Sequence, residues 1–346
     1  MVAFRSGVVR EVIDERAGLQ KIRVDIDGAA ARAYVLTDLI GVVAVGDEVV
    51  CNTTAVELDL GTGGWHFVHW NLARRSFEQR GRGHIMKLRY TSLQADTGST
   101  EEREPALAAV ASTPGLVVVG ASLHSQVAGI AVAVRRAAPN ARIAYVMTDG
   151  AALPLALSDL VAALRSAGQI DVTITCGHAF GGDHEAVSLA SALAIAHVIE
   201  SVDVAIVAMG PGIVGTGTAL GTTAIELATV IDTAGALGAR VVVAPRGSDG
   251  DARDRHQGVS HHTTTALALA ARPALIATPA HRPDVAASLA ADERLRHHRV
   301  LSVRIEDIAS QFAALGLDVR SMGRAAADDP LPHECAAAAG HAAMAS

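Results

Sequence analysis

Between residues 114 and 303 the apolar positions form short runs, and most runs are separated by segments with apolar residues at helical spacing. Short, continuous apolar runs are typical of strands that are buried on both faces. Their alternation with helices predicts an α/β fold: a Rossmann-like, mostly parallel sheet with helices on both faces. The predicted strands are 116–119, 142–147, 171–175, 203–208, 240–243, 274–277 and 300–303.

The first 70 residues follow a different pattern, in which short runs are separated by glycine or polar turns. These runs, at 7–13, 19–26, 32–36, 48–54 and 65–70, predict a small N-terminal β-barrel domain. Residues 71–105 contain a polar run and are interpreted as a bridging segment. The α/β domain then spans 106–324, and the alanine-rich stretch 325–346 is predicted to be a disordered tail.

Candidate site residues come directly after the predicted strands. Ligands of open parallel sheets bind beyond the carboxyl ends of the strands, so polar residues at those positions are the first candidates. They are Ser122, His124, Asp149, His178, Asp183, His184, Arg246, His261 and His262. Lys87, in the bridging segment, is a further cleft candidate, although the alternation over 86–91 equally fits an ordinary strand with one wet face.

A glycine-rich loop follows the fourth of these strands. Glycines and hydroxyls at the end of a strand allow backbone N–H groups to approach an anion, so a phosphate or carboxylate is expected here. The loop also matches G-x-G-x-x-G, but additional residues prolong it before the helix, so a nicotinamide cofactor is the weaker alternative. A tight strand-to-helix turn is the other alternative. The loop residues are Gly210, Gly212, Gly215, Thr216, Gly217 and Thr218.

Two histidine-containing segments are candidates for chemistry. His178, Asp183 and His184 are suitable ligands for a divalent metal, together with Asp149 or His261. The alternative is that Asp183 caps a helix near residue 185 and His184 points to solvent. At 260–265 a serine, two histidines and three threonines begin a predicted helix, where His261 or His262 is a candidate general acid or base. A hydroxyl-rich cap with surface histidines is the alternative there.

Composition narrows the class of protein. The net charge of −7 and the lack of a basic stripe argue against a nucleic-acid partner. Three widely separated cysteines indicate a reducing compartment. Charged residues interrupt the N-terminus, and no apolar run reaches about 18 residues, so neither a signal peptide nor a membrane span is expected. We therefore expect a cytoplasmic protein, and the apolar, alanine-rich helices favour a homo-oligomer.

Four segments carry a resemblance to a known family: GHIMKLRYT at 83–91, GHAFGGD at 177–183, GPGIVGTGT at 210–218 and GVSHHT at 258–263. Together they resemble a bacterial, largely actinobacterial family of unknown function, over nearly the whole chain apart from the tail. The family has no established activity, so the resemblance implies no reaction and no catalytic residue. It implies that the four segments belong to one functional unit.

The favoured hypothesis is an enzyme that binds a small anionic metabolite at the strand ends. The glycine loop holds the anion, His178, His261 or His262 transfer protons or hold a metal, and Asp149 and Asp183 orient the histidines or act as ligands. One alternative is a non-catalytic sensor or assembly subunit that binds a nucleotide or metabolite. The other is a nicotinamide-dependent oxidoreductase.

Overall fold

The structure is a computed structural model that describes residues 1–81 and 83–345. The chain divides into two compact units, Met1–Gly98 and Ser99–Ser346. The predicted bridging segment is therefore shared between them: its first part belongs to the first unit and its last part to the second.

The first unit contains a closed five-stranded barrel, which confirms the prediction from the strand pattern. The order around the barrel is β1-β2-β3-β5-β4, and all neighbours are antiparallel except the parallel pair β3 and β5. Valine and isoleucine side chains fill its interior. The elements are β1 (Phe4–Arg16), β2 (Leu19–Ile26), β3 (Ala29–Leu36), α1 (Thr37–Ile40), β4 (Glu48–Asn52), α2 (Thr54–Glu57), β5 (Trp65–Asn71), β6 (Met86–Lys87) and β7 (Ala95–Asp96).

The second unit is built on an eight-stranded, all-parallel sheet, as the alternating pattern predicts. Its strands are β8 (Val117–Ala121), β9 (Ile143–Thr148), β10 (Val172–Cys176), β11 (His184–Ala186), β12 (Val204–Met209), β13 (Arg240–Ala244), β16 (Leu275–Pro279) and β17 (Arg299–Val303). Two short antiparallel pairs lie outside it, β14 (Gly247–Ser248) with β15 (Gly258–Val259) and β18 (Arg320–Ser321) with β19 (Arg324–Ala325). The order across the sheet is β11-β10-β9-β12-β8-β13-β16-β17.

Helices cover both faces of this sheet. They are α3 (Gln126–Ala137), α4 (Asp159–Ser166), α5 (Leu189–Ala194), α6 (Glu226–Ala236), α7 (His261–Leu269), α8 (Pro283–Ala291), α9 (Ile308–Ala314) and α10 (Leu331–Met344). Alternate strand residues pack on opposite faces. Val119 joins the core under α3 and α10, whereas Val118 joins the core under α6 and α7. The loops after β8 and β12 therefore lead to helices on opposite faces.

The prediction of a disordered tail is wrong. Residues 331–344 form helix α10, which is buried along most of its length and packs against α3. Small residues allow this close packing, because a Cβ at Gly340 would lie 2.5 Å from the carbonyl oxygen of Ile130. A helix that is buried along most of its length and composed largely of alanine shows no clear amphipathic period, which is why it resembles low-complexity sequence.

The short edge strand β11 was also missed. His184, Glu185 and Ala186 pair in parallel with Ile174, Thr175 and Cys176. This strand occupies the place where the sequence suggested a helix start, so neither Asp183 nor its neighbours cap a helix there. Within the described part of the chain, no helix is both long and apolar enough to cross a bilayer.

Candidate functional site

A cluster of basic side chains lies beyond the carboxyl end of β13. Arg246 lies two residues beyond the last residue of the strand, and only 3% of it is exposed. Its backbone N–H donates to the hydroxyl of Thr263 in α7 (2.9 Å), and its carbonyl accepts from the N–H of Ser260 (2.9 Å). Ser260 is the N-cap of α7 and accepts from the N–H of His262. These contacts fix the start of α7 against the end of β13.

Three histidines meet at this place: His256, His261 and His262. Each offers one ligand atom, and these atoms all lie within 4.8 Å of one another. The ring centroids of His261 and His262 are 4.3 Å apart, and those of His256 and His262 are 4.8 Å apart. Among the described residues this is the one group of three or more such side chains with the spacing of a metal site.

The hydrogen bonds of the trio determine which ring atoms remain available. His256 Nδ1 lies 2.7 Å from the hydroxyl oxygen of Ser260. Arg246 Nη1 lies 3.2 Å from His262 Nδ1, and since a guanidinium only donates, that nitrogen is the acceptor. Neutral His262 then carries its proton on Nε2. The Nε2 atoms of both His261 and His262 are buried without a hydrogen-bond partner.

The electrostatic environment of the trio is positive. Burial, together with the charges of Arg253, Arg324 and Arg255, lowers the pKa of Arg246 to about 10, and Asp251 opposes this shift. Asp251 is itself held mainly by Arg253, through a contact of 2.7 Å. Burial together with the neighbouring charges lowers the pKa of His256 to about 4 and of His262 to about 3, and lowers that of His261. All three imidazoles are therefore neutral near pH 7.

The predicted anion loop packs against this cluster but is not built as an open cradle of amides. Gly215 and Thr222 form a bridge that closes a hairpin. Within it, the N–H of Thr216 donates to the carbonyl of Gly221 (2.7 Å), and the N–H of Thr218 donates to the hydroxyl of Thr216 (3.2 Å). These two backbone N–H groups therefore already donate hydrogen bonds within the loop. A short 3₁₀ turn at Thr223–Ile225 then separates the hairpin from α6, unlike a dinucleotide-binding turn.

The hairpin approaches the trio at Gly215. A Cβ at that position would lie 3.0 Å from His262 Cε1, and the hydroxyl of Thr222 lies 3.5 Å from His262 Nδ1. Gly212 has a φ of 101°, a conformation that favours glycine. Gly210 also needs to lack a side chain, because a Cβ there would lie 2.4 Å from the carbonyl oxygen of Ala152. Gly217, at the hairpin tip, is exposed.

His124 lies beyond β8, and both of its ring nitrogens have hydrogen-bond partners. Its Nδ1 lies 3.1 Å from the Tyr145 hydroxyl and 3.3 Å from the carbonyl of Met209, and its Nε2 lies 2.7 Å from the Ser158 hydroxyl. Burial lowers its pKa to about 4. Ser122, the residue just after β8, is 1% exposed, and its hydroxyl has no hydrogen-bond partner.

Asp149 and His178 lie beyond β9 and β10. A carboxylate oxygen of Asp149 accepts the backbone N–H of His178 (2.9 Å), and Gly177 makes room, since a Cβ there would lie 2.3 Å from that oxygen. Sequence reasoning missed the neighbouring carboxyl of Glu226, at the start of α6. Burial, together with the charge of Asp149, raises the pKa of Glu226 to about 6.

The structure does not bring His178, Asp183 and His184 together as a metal site. Asp183 accepts from the N–H and hydroxyl of Thr173 (2.8 and 2.9 Å), alongside the early part of β10 and away from its carboxyl end. His184 Nε2 is 2.6 Å from a carboxylate oxygen of Glu200. Both residues stabilise the edge strand. Lys87 belongs to the first unit, where it pairs with Ala95 in the hairpin of β6 and β7.

His256 is the residue of the trio that sequence reasoning missed. It lies in a 3₁₀ turn, Asp254–His256, inside a long polar loop. Only the return of that loop through β15, paired with β14, brings it to the start of α7. The available signal was the concentration of Arg253, Arg255 and His256 a few residues before the histidine pair.

The sequence profile of one protein family, described as a protein of unknown function (DUF3866), matches residues 32–340. The chain belongs to this family. The match begins within β3 and includes the barrel strands that follow it, the whole eight-stranded sheet and most of α10, so the DUF3866 region extends over parts of both units. A search of the curated proteins found no match.

Proposed function

We propose that the second unit is an enzyme domain that binds a small anionic metabolite, bearing a phosphate or carboxylate, at Arg246 and the histidine trio. The observation that carries this is the buried pair Arg246 and His262. Arg246 donates to Nδ1 of His262, so the unpartnered Nε2 of His262 is a buried N–H donor. An anion would supply an acceptor for this N–H group beside a positively charged guanidinium.

The energetics of burial favour the same ligand. A buried guanidinium costs several kcal/mol unless it is paired. The carboxylate of Asp251 is 3.9 Å from Arg246 and is shared with Arg253 and Arg324. A bound oxyanion would pair with Arg246 at short range. The same negative charge would raise the histidine pKa values toward neutrality, because an opposite charge favours the protonated form. A histidine of the trio then becomes a proton donor or acceptor when the ligand is present.

Phosphate titration of the purified protein tests the anion site. We expect inorganic phosphate to raise the melting temperature of the wild type, and calorimetry in buffers of different ionisation enthalpy to show proton uptake. Arg246→Gln should weaken phosphate binding at least tenfold, the loss typical of one charge-assisted bond. Arg294→Gln, which removes an exposed arginine paired with Asp292, is the matched control and should bind normally. Equal binding by the Arg246→Gln protein would contradict the proposal.

A divalent metal is a second candidate ligand, favoured by the spacing of the three imidazoles. Zinc, with nitrogen ligands, suits such a set. Coordination through His262 Nε2 requires loss of the proton there, and four arginines lie nearby, which is why we rank it second. Metal analysis of the purified protein and a zinc titration decide between the two. Zinc binding that survives Arg246→Gln, without any phosphate binding, would favour the metal.

Turnover separates the enzyme from the sensor alternative. A screen of phosphorylated and carboxylated metabolites, nucleotides and nicotinamide dinucleotides reports ligands by stabilisation. A ligand that stabilises the protein and is consumed supports the enzyme, whereas stabilisation without consumption supports the sensor. Stabilisation by nicotinamide dinucleotides alone would favour the oxidoreductase. We also propose a cytoplasmic location, which is supported by the three cysteines, all buried free thiols, and a homo-oligomer.

A further inference from the structure

A crevice lies at the carboxyl ends of β8 and β12, where the chain leaves the two neighbouring strands toward opposite faces of the sheet. The neighbouring strands β8 and β12 are connected to α3 and α6, which cover opposite faces. The loops that follow the two strands therefore diverge, which is the place where open α/β sheets bind ligands. A cavity of about 320 Å³ lies between these loops. That volume is at the lower end of the range for small-molecule sites.

The walls of this crevice are largely apolar. They include the side chains of Leu123, Leu160, Pro211, Ile213 and Met322. His124 also lines it, but both of its ring nitrogens already have partners. At the rim, Arg320 and Asp318 pair with each other at 3.1 Å. The crevice thus offers burial for an apolar group and few free polar atoms.

The crevice and the proposed anion site share one loop. Ile213 lines the crevice, and Gly215 is two residues further along and contacts His262. Successive Cα atoms are about 3.8 Å apart, so the Cα atoms of Ile213 and Gly215 are separated by no more than about 8 Å.

We infer that the ligand is amphiphilic, with an anionic head at Arg246 and His262 and a short apolar body in the crevice. This inference rests on the proposed function and narrows the substrate class to alkyl, acyl or aryl phosphates and carboxylates. Ordinary polar metabolites of the same charge would leave the crevice unfilled. Burial of the apolar body supplies the affinity, and the head group fixes its orientation.

A series of alkyl phosphates tests the inference. Inorganic phosphate and the methyl, propyl, butyl and hexyl monophosphates are titrated into the wild-type protein by calorimetry. Each methylene that enters the crevice should tighten binding by about fourfold, the ratio that corresponds to about 0.8 kcal/mol per buried methylene. The gain should stop when the crevice is full.

A filled crevice provides the control. Ile213→Trp places a large ring in the crevice and should abolish the dependence on chain length, while inorganic phosphate binds as in the wild type. Val214→Trp places the same ring on the neighbouring residue, which is 62% exposed, and should leave the dependence intact. A dependence that persists in Ile213→Trp would overturn the inference, because it indicates unspecific hydrophobic binding.

The outcomes also separate the two proposals. If phosphate binding depends on Arg246 but alkyl chain length has no effect, the proposed anion site is retained. The inference of an apolar body in the crevice is then overturned. Binding of alkyl phosphates that does not depend on Arg246 overturns the proposed function.

Discussion

Two histidine regions of the second unit share deep burial and unpartnered ring nitrogens but differ in their surroundings. His262 and His333 are 4% and 1% exposed, and both have unpartnered ring nitrogens. His262 lies beyond the strand ends, beside Arg246 and a glycine hairpin. His333 lies in α10, with the edge of its ring against Phe312 at 5.7 Å. We take an unpartnered nitrogen to indicate an anion site only where positive charge accompanies it.

The largest effect is expected where α10 and α3 are in closest contact. Gly340→Val places a branched side chain against the backbone of Ile130, with the Cβ only 2.5 Å from its carbonyl oxygen. The helices must separate or shift, and we expect a loss of about 3 kcal/mol in the free energy of unfolding. Urea unfolding monitored by circular dichroism measures it. The folded fraction should still bind phosphate, because α10 contributes no residue to the proposed anion site.

The second-largest effect is expected on the stability of the fold at acid pH, through the protonation of His333. Burial lowers the pKa of this histidine to about 4, against the opposing influence of Asp329. Its pKa is higher in the unfolded chain, at about 6.5, so the unfolded state binds the proton first. Stability is therefore retained above pH 6.5 and is lost as the pH falls toward 4.

His333→Leu removes this proton linkage. Between pH 7.5 and pH 5, the free energy of unfolding of the wild type should fall by about 2 kcal/mol more than that of the variant. Unfolding curves at the two pH values measure the difference. An unchanged pH dependence would mean that His333 has a partner or access to water, and the contrast with His262 would then lose its basis.

The fold could be predicted in detail because apolar runs and their turns are local signals. The predicted strand 19–26 matches β2 (Leu19–Ile26), and the run 203–208 differs from β12 (Val204–Met209) by one residue at each end. The edge strand β11 escaped because it is three residues long and begins with His184 and Glu185. Short polar edge strands carry no alternation of their own, and their pairing is decided by tertiary structure.

The site was harder to predict than the fold because its members meet only through loop closure. Arg246, His261 and His262 were candidates by position after strands or at a helix start, and the structure brings them together. His178 and Asp183 were chosen by the same rule, but Asp183 turns back along β10 to Thr173. Position in the sequence cannot distinguish a loop that stays at the strand ends from one that returns along the sheet.

The smallest effect on stability, and the sharpest contrast, is expected for His262→Leu. The change removes a buried N–H without a partner, which favours folding by about 1–3 kcal/mol, but it also removes the acceptor of Arg246, which costs about as much. We expect the free energy of unfolding at pH 7 to change by less than about 1 kcal/mol. Phosphate binding should nevertheless fall at least tenfold, whereas His333→Leu, the same substitution in the other region, should leave it unchanged. Loss of binding in both variants would show that the charged surroundings of His262 do not distinguish the two histidines, and loss in neither would show that His262 does not hold the anion.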